Sequence, residues 1–200
     1  MLQMGIYASE ENPSGLVSSL KALGAAGYEH KDPDGSIHIF AAAYSTEAAA
    51  ESVCERLKEQ NYECSVEKFS VENVNMTVSA DEIYMETIKQ AVGYSQEIIN
   101  DLSKEVIGFD SEERSIDYGR AIANEMLSNV KAIRGELSGI SESKGIIKKL
   151  DDYYMKLAGM LTSFISADTD NRVEMSGRLK HLQIDAFMHY LGLLGSIKNM

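Results

Sequence analysis

A passage from strand to helix occurs twice within the first 50 residues, and that repetition limits what this part of the chain can fold into. Residues 2–7 read LQMGIY, and residues 39–44, IFAAAY, repeat the pattern 37 positions later: Gly5 matches Ala42, Tyr7 matches Tyr44, Ser9 matches Thr46 and Glu10 matches Glu47. Beyond this the echo shifts by three, so that Leu23 matches Leu57 and Tyr28-Glu29 matches Tyr62-Glu63. A duplicated strand–helix–strand unit, with about three extra residues near Asn12-Pro13 in the first copy, accounts for both offsets.

The segments between the repeats fill in the order. Ser9 or Asn12 can cap a first helix with Pro13 in its opening turn, where a missing N–H is tolerated, and Leu16, Leu20 and Leu23 form its inner stripe before Gly24 and Gly27. Tyr28-Glu29-His30 reads as a short strand. Asp32-Pro33-Asp34-Gly35 is a turn, because proline presets φ, aspartate bonds to local backbone and glycine accepts positive φ. Ser45-Thr46-Glu47 opens a second helix with Ala50, Val53, Cys54 and Leu57 at helical spacing, and residues 64–69 read as a fourth strand. The order β-α-β-β-α-β predicts two helices on one face of a four-stranded antiparallel sheet.

Side chains alternate along a strand, so Leu2, Met4 and Ile6 are expected on one face and Gln3, Gly5 and Tyr7 on the other. In the second copy Ile37, Ile39 and Ala41 would face the core, leaving His38, Phe40, Ala42 and Tyr44 with Gln3 and Tyr7. If helices cover only the aliphatic side, the other side is a shallow platform of aromatic rings, small residues and hydrogen-bonding groups. The bland alternative is that the rest of the chain folds back and buries these rings.

Residues 70–78 lack a helical period and read as a linker; from there the pattern changes. Residues 79–82, Ser-Ala-Asp-Glu, make a capping box, and Ile83, Ile88, Val92, Ile98, Leu102 and Val106 continue at helical spacing to Gly108. Asp110 to Glu113 opens a second long helix, with Ile122, Met126, Val130, Ile133 and Leu137. Ser141 opens a third, with Ile147, Leu150, Tyr154, Leu157, Leu161 and Phe164. Asp168 to Asp170 opens a fourth, with Leu179, Leu182, Ala186, Leu193 and Ile197. Short connections between long amphipathic helices imply an antiparallel four-helix bundle. The class is therefore α+β: a domain over 1–70, a linker over 71–78 and a bundle over 79–200.

Composition excludes several functions. The net charge of −12 is spread over the chain, with 12 acids and 5 bases in residues 1–78, and disfavours both nucleic acid and anionic membranes. The aromatic platform also lacks the basic, glycine-rich strand of an RNA-binding sheet. No apolar run is long enough to span a membrane, and a strand beginning at residue 2 fits the extracytoplasmic part of a longer, membrane-anchored protein. His181, Asp185 and His189 recur every four residues on the last helix, but no further ligand cluster accompanies them, so a polar flank is the reading and no metal or cofactor is expected. No nucleophile elbow, phosphate loop or zinc-hydrolase set is present. Cys54 and Cys64 are read as small buried hydrophobes, with a disulfide between them as the alternative.

The first 70 residues resemble the SPOR (sporulation-related) domain. The likeness is carried by residues 2–7 as the opening strand with its Gln and Gly-x-aromatic ending, by Leu20 through Gly27-Tyr28 as a Leu-rich helix closing in Gly, and by residues 39–48 as the second passage. Ala42 stands where the family usually has Gly, and His38 where it often has Arg. The resemblance implies binding of peptidoglycan, especially glycan strands stripped of stem peptides, at a division or sporulation septum in the cell envelope. The glycan-binding candidates are Gln3, Gly5, Tyr7, His38, Phe40 and Tyr44: rings offer flat faces to sugar C–H groups, and Gln3 and His38 can bond hydroxyls and acetamides. The bundle is expected to bind a protein partner or a second copy. Two alternatives are a wall-processing enzyme or activator with its site in the bundle, and an assembly protein using the sheet face as an oligomer interface.

Overall fold

The computed structural model describes residues 1–8, 11–69, 82–140 and 145–198. The N-terminal part has the predicted order: β1 (Leu2–Tyr7), α1 (Ser14–Ala22), β2 (Tyr28–Lys31), β3 (Ile37–Ala42), α2 (Glu47–Glu59) and β4 (Ser65–Val66). The strands form one antiparallel sheet in the order β2-β3-β1-β4. The duplication explains this, because the opening strands of the two copies pair at the centre and the closing strands flank them.

Local chemistry sets the boundaries. Thr46 caps α2 by accepting from the Ala49 amide at 3.3 Å. At α1 the cap residue is Pro13, with Asn12 Oδ1 accepting from the Ser14 amide at 3.0 Å; Ser9 lies outside the described residues. In the β2–β3 hairpin the Gly35 amide donates to the Asp32 carbonyl at 2.9 Å, with Gly35 at φ +92°. β4 is shorter than the strand expected over 64–69, although the Glu67 amide still donates to the Met1 carbonyl at 2.9 Å. Helices α1 and α2 bury Val17, Leu20, Ala50 and Cys54 against Leu2, Met4, Ile39, Ala41 and Ala42. Leu23, expected in that stripe, follows the end of α1 and is exposed.

Four long helices follow: α3 (Glu82–Asp110), α4 (Ile116–Ser138), α5 (Ile146–Ile165) and α6 (Arg172–Lys198). The linker, the capping box before α3 and Ser141 lie outside the described residues. α3 runs through Gly108 to Asp110, so Ser115 rather than Asp110 caps α4, accepting from the Tyr118 amide at 3.1 Å. Asn171 rather than Asp168 or Asp170 caps α6, its Oδ1 accepting from Val173 at 2.9 Å. Each helix packs on its chain neighbour and α6 closes against α3; among the described stripe residues only Val92 and Ile122 fall short of full burial. Two polar contacts fix the bundle's register. The Tyr154 hydroxyl donates to the Ala91 carbonyl at 2.5 Å inside the core, and Arg120 Nη2 donates to the carbonyls of Ala167 and Thr169, both at 2.8 Å, beyond the last turn of α5.

Candidate functional site

Two bulges decide which side chains reach the face of the sheet away from α1 and α2. Gln3 lies opposite Phe40, and the next pair is Gly5 with Ile39, so Met4 has no partner; between Leu2–Ala42 and Gln3–Phe40, Ala41 is the extra residue. Each bulge adds one residue and reverses the alternation after it. Met4–Gly5 and Ala41–Ala42 are equivalent in the two repeats, so the irregularity is duplicated with the unit.

The expected alternation is therefore corrected beyond each bulge. Gln3, His38 and Phe40 point to the face away from α1 and α2, as expected. Gly5, Tyr7, Ala42 and Tyr44 point instead to the helix-covered face. Tyr7, Ala42 and Tyr44 pack in its core, and a Cβ at Gly5 would lie 3.0 Å from the Tyr7 ring and 3.1 Å from Leu16. Ile6, opposite His38, occupies the outward position expected for Tyr7 and is 57 % exposed.

The bundle covers half of this second face. Ile184 of α6 is fully buried with Phe40, Ala26 and Met1 in a small separate core, flanked by Phe69, Phe187 and Met188. Phe40 meets Phe69 edge-on at 5.7 Å, and Phe69 meets Phe187 at 6.4 Å and 88°. The Tyr28 hydroxyl donates to Asp185 at 3.2 Å, its ring lies 5.1 Å from that of His181, and burial and then the Asp185 carboxylate hold the phenol above its usual range. Phe40 is thus a buried contact between sheet and bundle rather than an exposed ring. His181 and Asp185, considered as ligands, serve the same contact, with His189 Nε2 3.7 Å from Asp185.

Beside this contact a polar row crosses all four strands, buried at Gln3 and exposed at its outer members. Gln3 Nε2 donates to Ser65 Oγ at 3.2 Å, and His38 Nδ1 donates to Gln3 Oε1 at 2.8 Å. His38 Nε2 lies 3.1 Å from Asp32 Oδ2, and His30 Nε2 lies 3.2 Å from Asp32 Oδ1. The inner members are held from both sides, Gln3 at 7 % exposure, whereas Ser65 is exposed and His30 and Asp32 are each about one third exposed. Fixed orientation in Gln3 and His38 and free bonding capacity in the outer groups, beside the apolar Ile6, suit a ligand rich in hydroxyls with apolar ring faces.

The same stretch matches a known family: residues 1–67 fit the profile of the SPOR domain. These residues are a SPOR domain. No match was found among curated proteins or among solved structures. A SPOR domain implies peptidoglycan binding and is itself non-catalytic. Among the described residues no helix is long and apolar enough to cross a membrane. Sequence reasoning missed Ile6, Ser65, His30 and Asp32 as members of the open SPOR face. The equal small residues Gly5 and Ala42 at matching repeat positions were the available sign of the bulges.

Proposed function

We propose that the chain is a non-catalytic binding protein that holds denuded glycan strands on the open half of its SPOR sheet and so localises to septal or sporulation wall outside the cytoplasm. The observation that carries this is the row Ser65–Gln3–His38–Asp32–His30 beside exposed Ile6. Ser65, Asp32, His30 and the exposed edge of His38 meet the glycan, and the buried Gln3 holds His38 and Ser65 in place between them. Gly5, Tyr7 and Tyr44 act from beneath by setting the strands, and Phe40 acts by joining the sheet to α6. The division at 71–78 separates this domain from the bundle, which carries or recruits a partner and anchors the sheet on a rigid base.

Sedimentation with purified sacculi tests the reading. The full chain is expected to co-sediment better with amidase-treated sacculi than with untreated ones, releasing no muropeptides. Gln3→Ala, His38→Ala and the surface variant Ile6→Asp should each reduce the bound fraction several-fold. Equal retention of all variants, or no preference for stripped glycan, would refute it.

A further inference from the structure

Among the described residues the buried apolar side chains fall into three separate clusters, and the smallest is the seam between sheet and bundle. Phe40 belongs to neither the SPOR core nor the bundle core, and the same holds for Ile184, which meets it from α6 with Phe187 and Met188 at its flank. Each half therefore buries its main core without the other, and the seam is covered only while the two halves touch.

The rings of the sheet lie at that seam. Tyr7 and Tyr44 point into the helix-covered core, Phe40 is 1 % exposed, and Tyr28 is half-buried against His181. Phe40 adjoins the polar row directly: its ring lies 6.3 Å from that of His38, at an interplanar angle of 26°, and 6.5 Å from that of His30. A sugar resting on the row meets imidazole edges and no Phe or Tyr face, although such a face lies one side chain away, packed with Ile184.

The polar contacts across the seam can be given up without stranding a charge. Lys180 Nζ donates to the Gly24 carbonyl at 3.0 Å but also pairs with Asp110 of α3 at 2.9 Å. Ser176 Oγ, 3.3 Å from the Gly24 carbonyl, lies 2.8 Å from Asp110 Oδ1. Asp185, which accepts from Tyr28, has His189 3.7 Å away on its own helix. On the sheet side the groups released are the Tyr28 hydroxyl and the Gly24 and Ala26 carbonyls, which water satisfies once they are exposed. The docked position is nonetheless closely fitted, since a Cβ at Gly177 would come within 2.8 Å of the Ala25 carbonyl oxygen.

We propose that α6 is a built-in competitor of the glycan: while docked it occupies the aromatic half of the face, and its release from Phe40 and Tyr28 joins their rings to the polar row and tightens binding. The inference rests on the glycan-binding reading and adds the regulation of that site. Only the released fraction of molecules offers the full surface, so the apparent affinity falls in proportion to that fraction. A partner that holds the Ile184–Met188 face of α6 shifts the chain to the tight state.

Co-sedimentation of the full chain with amidase-treated sacculi, titrated to give an apparent Kd, tests it. Ile184→Asp places a carboxylate in the seam but outside the bundle core, and should lower the apparent Kd about tenfold or more. Asp185→Ala, which removes the acceptor of the Tyr28 hydroxyl, should lower it about threefold. Adding Phe40→Ala to Ile184→Asp should cancel the gain, because the released ring supplies it. If Ile184→Asp binds no more tightly than a wild type that itself sediments, α6 is a fixed base, the proposal is overturned and the sheet reading stands. A gain that survives Phe40→Ala overturns it as well, since the extra binding then comes from uncovered α6 rather than from the sheet. If neither protein sediments with stripped sacculi, the glycan reading fails, and the competition with it. Should Ile184→Asp fail to fold, Gly177→Ala, which lifts α6 from the turn after α1, decides in its place with the same expected direction.

Discussion

Replacing Gly177 by alanine should destabilise the protein, against the usual direction for a helix interior. Alanine is normally favoured over glycine in a helix by about 1 kcal/mol. At Gly192, in the same helix, an added Cβ meets nothing within 4 Å, and Gly192→Ala is expected to raise Tm by about 2–4 °C. At Gly177 the Cβ would lie 2.8 Å from the Ala25 carbonyl oxygen and 3.5 Å from the Gly24 carbonyl carbon. Both atoms are backbone and cannot rotate aside, so α6 must move off the turn after α1. That shift stretches Ser176 Oγ to the Gly24 carbonyl, now 3.3 Å, Lys180 Nζ to the same oxygen at 3.0 Å, and His181 Nδ1 to the Ala26 carbonyl at 3.2 Å. Overpacking costs about 1–3 kcal/mol and each weakened bond up to about 1 kcal/mol, set against the gain of about 1 kcal/mol in propensity. Gly177→Ala is therefore expected to lie about 2–4 kcal/mol below Gly192→Ala, a separation of about 4–16 °C in Tm. Thermal unfolding followed by circular dichroism measures it. A Gly177→Ala protein as stable as Gly192→Ala would mean that α6 does not rest on the SPOR domain, and the half-covered sheet would fall with it.

Other variants probe the interior. Tyr154→Phe removes a hydroxyl that donates to the Ala91 carbonyl in a fully buried setting, and should lower stability by about 1 kcal/mol in urea unfolding with no change in slope. Burial raises the carboxyl pKa of Glu105, only partly offset by Arg114 Nε at 3.9 Å. The folded state then favours the protonated acid, so this contribution is present below the unfolded pKa near 4.5 and is lost as pH rises through the raised folded value. Glu105→Gln should accordingly have a higher Tm than wild type at pH 7, with the difference vanishing at pH 4. Cys64, pushed up to about 12 by burial and by its neighbour Cys54, is scarcely ionised at pH 8. Mass spectrometry after iodoacetamide treatment should find it unmodified in the folded protein and modified in urea.

Much of this architecture is written locally in the chain. The repeat at offset 37 dictated the paired central strands, and the periodicity from Ile88 to Ile197 dictated four helices and about two thirds of their buried residues, leaving out Phe109, Leu127, Tyr153 and Tyr190 among others. Such patterns are legible because helix and strand periods are properties of neighbours in sequence. Tertiary structure alone decided the rest. A bulge inserts one residue without altering composition, yet it turned Tyr7 and Tyr44 inward and Ile6 outward. Ile184, Phe187 and Met188 lie off the stripe that α6 presents to the bundle, and an apolar second face marks burial on two sides without saying against what. That it meets Phe40 and Tyr28, closing half of the SPOR face and leaving only the outer members of the polar row, Ser65, His30 and Asp32, exposed, depends on contacts between residues more than 140 positions apart. Sequence periodicity fixes which faces are apolar, but packing between distant segments fixes which of them meet.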